Sequence, residues 1–269
     1  MLEPTYNLKV GEVPVLVSVP HAGTYIPPEI AMTMTPAALR TEDTEGFVDA
    51  LYDVAPSLGI GLLTATHSRY VVDLNRGPDD VSLYPGKSVT ELVPTTTFAH
   101  QPIYASGRIP DADEIARRVS LFWRPYHVAL RRELDRLTAR FGVAVLWDGH
   151  SIRSVVPRFF DGVLTDMNFG TAKGRAAGAS LVAAVQIAVN LDGAYGAVWD
   201  DRFIGGYITR AYGRPETCVH AIQLEMTWRT YMIEQAPYEL DPGRAAKARS
   251  FIATCLRAAR DWAVAESTK

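Results

Sequence analysis

Two histidines carry the strongest chemical signal in the sequence. His21 closes a valine-rich stretch over 13–19 in Pro20-His21-Ala22-Gly23, and His150 follows an apolar stretch over 143–147 in Asp148-Gly149-His150-Ser151. If both stretches are parallel strands, both imidazoles project at the carboxyl edge of a sheet, where ligands bind. Imidazole nitrogens suit Zn²⁺, and a catalytic zinc takes three protein ligands and keeps a fourth position for water. A carboxylate is the natural third ligand. Glu42, Asp43 and Glu45 offer one near the start of a predicted helix, although acidic side chains also favour that end of a helix with no metal present. Glu225 ends the apolar run Val219-His220-Ala221-Ile222-Gln223-Leu224-Glu225. A carboxylate in a buried strand must be paired, hydrogen-bonded or functional, so Glu225 is either a general base or the partner of an arginine. Arg69, Arg76, Arg153, Arg158, Arg202, Arg210 and Arg214 lie near these segments. Guanidinium groups bind carboxylates bidentately, and two or more of them would suit a small dianion.

Other chemistries lack their residues. Ser151 sits in Gly149-His150-Ser151-Ile152, which is not a GxSxG elbow. No GxxxxGK[ST] phosphate loop occurs, and Gly205-Gly206 lacks the spacing of a dinucleotide fingerprint. Cys218 and His220 are two residues apart on a predicted strand, hence on one face by simple alternation.

The elements that must position these residues alternate between strand-like and helix-like stretches, the pattern of an α/β fold with a mostly parallel central sheet flanked by helices. Strands are predicted over 13–19, 59–66, 70–74, 143–147 and 219–226. Helices are predicted over 35–56, from Asp111 to 140 with a break or kink at Pro125, and over 176–189 and 244–263. The stretch 77–107 has no periodicity, and long loops of this kind in compact domains are usually functional. The 269 residues include 48% hydrophobic and 21% charged residues, a globular composition, and no linker divides them, so one domain over 1–269 is expected. A formal charge of −3 without a basic block argues against nucleic acid. Two cysteines do not make a secreted disulfide scaffold. With no signal-like N-terminus and no apolar run long enough to span a bilayer, a cytoplasmic protein without a membrane partner is expected, with homo-oligomerisation open.

Six ordered blocks then make the chain resemble the N-formylglutamate amidohydrolase family from Leu16 to about Tyr231. They are Ser18-Val19-Pro20-His21-Ala22-Gly23, Ser68-Arg69-Tyr70-Val71-Val72-Asp73-Leu74-Asn75-Arg76, Leu83-Tyr84-Pro85-Gly86, Trp147-Asp148-Gly149-His150-Ser151-Ile152-Arg153-Ser154, Gly205-Gly206-Tyr207-Ile208-Thr209-Arg210 and His220-Ala221-Ile222-Gln223-Leu224-Glu225. The resemblance implies metal-dependent hydrolysis of N-formyl-L-glutamate to glutamate and formate, a step of histidine degradation. The family is similar in fold to zinc carboxypeptidases and the aspartoacylase group, which implies a zinc-exopeptidase-like sheet. It also implies His21 and His150 as zinc ligands, Glu225 as base, and a pocket formed by Arg69, Asn75 and Arg76, with Arg153 and Arg210 as further substrate contacts. Carboxypeptidases place a glutamate three residues after the first histidine, where this chain has Thr24. The third ligand is therefore expected at Asp43, with Glu45 as the alternative. The chain reads Asp43-Thr44-Glu45-Gly46-Phe47-Val48-Asp49 where the family usually has Asp-Thr-Asp-Trp-His-Val-Asp. The competing readings are a deacylase or exopeptidase of this fold for another N-acyl acidic amino acid, and a metal-free binding protein.

Overall fold

A computed structural model describes residues 3–83, 86 and 88–267. Its strands are β1 (Tyr6–Lys9), β2 (Val15–Val19), β3 (Gly61–Ala65), β4 (Ala144–Ile152), β5 (Met167–Gly170), β6 (Ala197–Trp199) and β7 (Val219–Thr227), joined in one sheet of order β1-β3-β2-β4-β7-β5-β6. The centre is parallel: β2 pairs with β3 and β4, and β4 with β7; at one edge β5 and β6 also pair in parallel. Antiparallel pairs join β1 to β3 and β5 to β7, so the sheet is mixed. The helices are α1 (Pro28–Ala31), α2 (Val48–Leu51), α3 (Ala112–Arg118), α4 (Arg124–Phe141), α5 (Ala179–Asp192), α6 (Tyr207–Tyr212) and α7 (Pro242–Ser267). Among the described residues, no helix is long and apolar enough to cross a membrane.

Both faces of the central strands are covered, which explains their unbroken apolar character. Val15, Val17, Val145, Trp147, Ile222 and Leu224 point to one face and pack against α2, α5 and α7. The alternate residues Leu16, Leu146 and Ala221 face α4, which supplies Tyr126, Leu130, Leu134 and Leu137. That second face turns polar toward the carboxyl ends of β4 and β7, where Asp148, His150, Gln223 and Glu225 replace the aliphatic residues.

Several elements differ from those the sequence predicts. The stretch 35–56 is not one helix: 3₁₀ turns at Ala38–Arg40 and Tyr52–Leu58 flank a loop and the single turn of α2. Thr41 and Phe47 adopt left-handed conformations there, φ 49° and 65°, which no α-helix contains. Residues 70–74 form no strand. They are buried, but their backbone groups bond locally and to the neighbouring loop, as in Val71 N–H to Ser68 O and Asp73 N–H to Leu92 O. Pro125 does not end its helix. A π-helical turn, Val119–Trp123, precedes it and joins α3 to α4; Asp111 caps α3 as expected, accepting from Glu114 N–H. β4 continues to Ile152, so His150 lies on the strand rather than after it. Within 77–107 the described residues form only isolated bridges; Tyr84 and Pro85 of the Leu83–Gly86 block lie outside the described residues.

Candidate active site

The site begins with strand register. His150 of β4 is paired with Glu225 of β7, and two residues back Asp148 is paired with Gln223. Partners in parallel strands present their side chains on the same face, so an imidazole, a glutamate and their supporting groups share one patch of sheet. His21 reaches this patch from the turn after β2. Glu45 arrives on the loop before α2, tied back by its own N–H to His21 O (3.1 Å).

Three buried side chains, His21, Glu45 and His150, form the cluster. Glu45 Oε1 is 2.8 Å from His21 Nδ1 and 3.3 Å from His150 Nδ1, while its Oε2 accepts Ser151 N–H at 2.9 Å. Donor atoms of His21, Glu45 and His150 all lie within 4.8 Å of one another. The outer nitrogens face carboxylates: His21 Nε2 is 2.8 Å from Asp73 Oδ1, and His150 Nε2 is 3.1 Å from Asp148 Oδ1. These neighbours set the protonation of the cluster. Burial opposes ionisation of Glu45, but His150 and His21 hold its pKa well below the usual carboxylate range. Burial pulls His150 down, yet Asp148 and Glu45 raise it well above an ordinary histidine. Glu225 goes the other way: burial first, then the charge of Glu45, push it up to about 8. Its side chain accepts from Gln223 Nε2 at 3.4 Å.

A cavity opens in front of these groups. Its wall includes His21, Glu45, His150 and Glu225, the cations Arg69, Arg76 and Arg202, and the rings of Phe98, Phe159 and Phe203. Arg69 is buried beneath Phe98, donates to Asp73 Oδ2 at 2.6 Å, and its Nε–H has no acceptor among the described residues. Arg76 borders the cavity but holds its own loop, donating to Thr90 O, Thr90 Oγ1 and Asn75 O. Asn75 also borders it: its Oδ1 accepts Ile208 N–H at 2.8 Å, and its Nδ2 lies 3.1 Å from His150 Nε2. Gly206 permits that arrangement, since a Cβ there would stand 2.2 Å from the Asn75 amide.

Three expected site residues fall elsewhere. Asp43 is outside the histidine cluster; its carboxylate accepts from Tyr70 Oη–H and Phe98 N–H and stands 3.4 Å from Arg153 Nη2. The structure brings Glu45, not Asp43, to the histidines, because the loop that replaces the predicted helix turns residues 43 and 45 in different directions. Arg153 does not border the cavity: it lies over the rings of Trp228 and Tyr238 and binds Glu42 O. Arg210 binds Gly205 O and Leu83 O and does not border this cavity. Conversely, sequence reasoning assigned no role to Asp73, Asp148 or Gln223. Each is a polar side chain within or beside an apolar stretch and, like Glu225, needs a partner once buried, a signal present in the sequence for all three.

Sheet and cluster define an α/β protein with a buried histidine–carboxylate centre at the carboxyl edge of its strands. A sequence profile described as N-formylglutamate amidohydrolase matches residues 13–232. The chain belongs to that family. It is 42% identical to N-formylglutamate deformylase of Pseudomonas aeruginosa, over 97% of this chain and 98% of that one, and 40% identical to N-formylglutamate deformylase of Pseudomonas putida, over 94% of each. A crystal structure of N-formylglutamate amidohydrolase from Ralstonia eutropha superposes with TM-score 0.81 at 27% identity, covering 95% of this chain and 97% of that one. A protein of Agrobacterium tumefaciens shares the fold, with TM-score 0.74 at 15% identity over 97% and 96% of the two chains.

Proposed function

We propose that this protein hydrolyses N-formyl-L-glutamate to L-glutamate and formate, using a zinc ion held by His21, Glu45 and His150. The observation behind the reading is the convergence of those three donor groups beside Glu225, in a cavity with three arginines, within a chain of this family. Two imidazole nitrogens and one carboxylate are a donor set that catalytic zinc takes, leaving one position open. The surroundings fit as well. Asp73 faces the outer nitrogen of His21, and Asp148 Oδ1 is buried without a hydrogen-bond partner among the described residues, 3.1 Å from His150 Nε2. A proton on His21 Nε2 satisfies Asp73 and leaves the His21 Nδ1 lone pair facing Glu45, the tautomer that ligation requires.

A bound zinc supplies Lewis acidity to the scissile carbonyl and lowers the pKa of water. Glu225 removes a proton from the attacking water and delivers it to the nitrogen of the departing glutamate, so that the C–N bond breaks to an amine rather than an amide anion. Arg69 holds the negative charge that develops on the formyl oxygen; its Nε–H is a buried donor with no acceptor among the described residues. Arg76 and Arg202, which both line the cavity, supply the positive charge that the two substrate carboxylates need, and the phenyl rings exclude water from these contacts. The whole reaction adds one water across one amide bond and needs no other reactant.

Glutamate release from N-formyl-, N-acetyl- and N-succinyl-L-glutamate, with formate measured for the first, tests the substrate. Activity is expected to be fastest with the formyl compound, to disappear on chelation and to return with zinc. A zinc-loaded protein that releases no formate would refute the activity, and activity indifferent to chelators would refute the metal.

A further inference from the structure

Asp73 is fully buried, with both of its oxygens spent at the site. Oδ1 accepts from His21 Nε2 and from Asn75 N–H, both at 2.8 Å, and Oδ2 accepts from Arg69 Nη2 at 2.6 Å. Glu45 completes a closed ring: its Oε1 lies 2.8 Å from His21 Nδ1 and 3.6 Å from Arg69 Nη1. Two functions described above therefore meet on one carboxylate. We infer that Asp73 is a positioning residue shared by the metal centre and the oxyanion-binding arginine, orienting His21 through one oxygen and Arg69 through the other. This assignment rests on the proposed zinc-dependent activity.

The chemistry of the two partners makes the role specific to a carboxylate. Both His21 Nε2–H and Arg69 Nη2–H are donors, and both need an acceptor. A carboxylate offers two acceptor oxygens, whereas an amide offers one oxygen and an NH₂ that must face a donor. Once Glu45 turns its oxygen to a metal ion, Asp73 is the anion that keeps Arg69 in place. The charge also strengthens both hydrogen bonds relative to a neutral acceptor.

The test compares Asp73→Asn, Arg69→Lys and the double variant with the wild type, by zinc affinity in competition with a chelator and by steady-state kinetics at saturating zinc. Asp73→Asn is expected to weaken zinc binding by roughly ten- to a hundredfold and, when fully loaded, still to show a lowered kcat and kcat/KM because Arg69 is displaced. Arg69→Lys retains the His21–Asp73 bond, so its zinc affinity should stay within about threefold of wild type while kcat/KM falls. Since both changes remove the same Arg69 contact, the loaded double variant should be no more than about threefold worse than Arg69→Lys alone. Asp73→Glu keeps the charge and both acceptors; it should retain more zinc affinity than Asp73→Asn, and it serves in its place, zinc affinity and kcat falling together, where the amide variant does not fold. Wild-type zinc affinity in Asp73→Asn, wild-type kcat/KM in the same variant once loaded, or independent losses in the double variant would each overturn the assignment. A wild-type protein that binds no zinc or releases no formate would instead refute the activity on which it rests.

Discussion

Glu45 and Asp43 are separated by one residue and do different work. Glu45 Oε1 sits between the Nδ1 atoms of two histidines, whereas Asp43 gathers Tyr70, Phe98 and Arg153. Their substitutions should separate accordingly. Glu45→Gln removes a ligand charge and is expected to lower zinc affinity at least a hundredfold, while Asp43→Asn, which keeps its shape and one acceptor, should leave it within about tenfold, the range of an outer contact. Chelator competition reads the ranking directly, and the reverse order would return the role to Asp43. Glu225→Gln makes a complementary forecast. The variant should hold zinc as the wild type does yet lose roughly 10²- to 10⁴-fold in kcat, the usual contribution of a general base; an unchanged kcat would remove Glu225 from the proton transfer. The types of these residues were legible in the sequence. The choice between Asp43 and Glu45 was not, since a helix over 35–56 gives each a defensible direction and only the left-handed turns at Thr41 and Phe47 decide it.

At the scale of elements, the segment 68–76 shows how a non-repetitive stretch can organise a site. It carries Arg69, Asp73, Asn75 and Arg76, and its apolar residues Tyr70, Val71, Val72 and Leu74 are buried, which is why it reads as a strand. The backbone is instead held by local bonds, and Asn75 locks it to the start of α6 through Ile208 N–H. Gly206 lies at that lock with φ −85°, so a side chain there is excluded by space and not by backbone conformation. Gly206→Ala is expected to destabilise by about 1–3 kcal/mol through overpacking against Asn75 and to lower kcat/KM, measured by urea unfolding and formate release. Gly46→Ala is the control: a Cβ at Gly46 meets nothing within 4 Å, and its stability should stay within about 1 kcal/mol of wild type. Equal stability of the two variants would show that the Gly206–Asn75 contact relaxes freely.

Across the whole molecule, acid sensitivity has a contributor remote from the reacting groups. His127 on α4 is buried, with Nε2 2.9 Å from Leu74 O and its ring stacked on Trp123. Burial drives its pKa down to about 3, against the opposing bond to Leu74 O. The unfolded chain binds a proton there below about pH 6.5 and the native protein does not, so stability falls as pH drops from that value toward 3. For His127→Gln this contribution is absent. The stability gap between wild type and variant should therefore narrow by about 2 kcal/mol from pH 7 to pH 5, as measured by urea unfolding at each pH; a gap independent of pH would place the titration elsewhere. His127 differs from His21 and His150 already in sequence, since it lies inside the helix predicted over 111–140 and they follow strand-like stretches; its burial against Trp123 and Leu74 O is a tertiary fact. Alternating apolar stretches determined the central strands 15–19, 144–147 and 219–226 and the helices beside them, since period and burial are local properties that each segment must satisfy by itself. The same local logic placed His21, His150 and Glu225 at the carboxyl edge. Tertiary structure decided which carboxylate joins them, which arginines border the cavity and which only brace its walls, and which buried acids orient the histidines. Each of these depends on the direction of a side chain carried by a loop. Loop direction is set by left-handed turns, close glycine contacts and hydrogen bonds to residues far along the chain, none of which leaves a periodic signature in sequence.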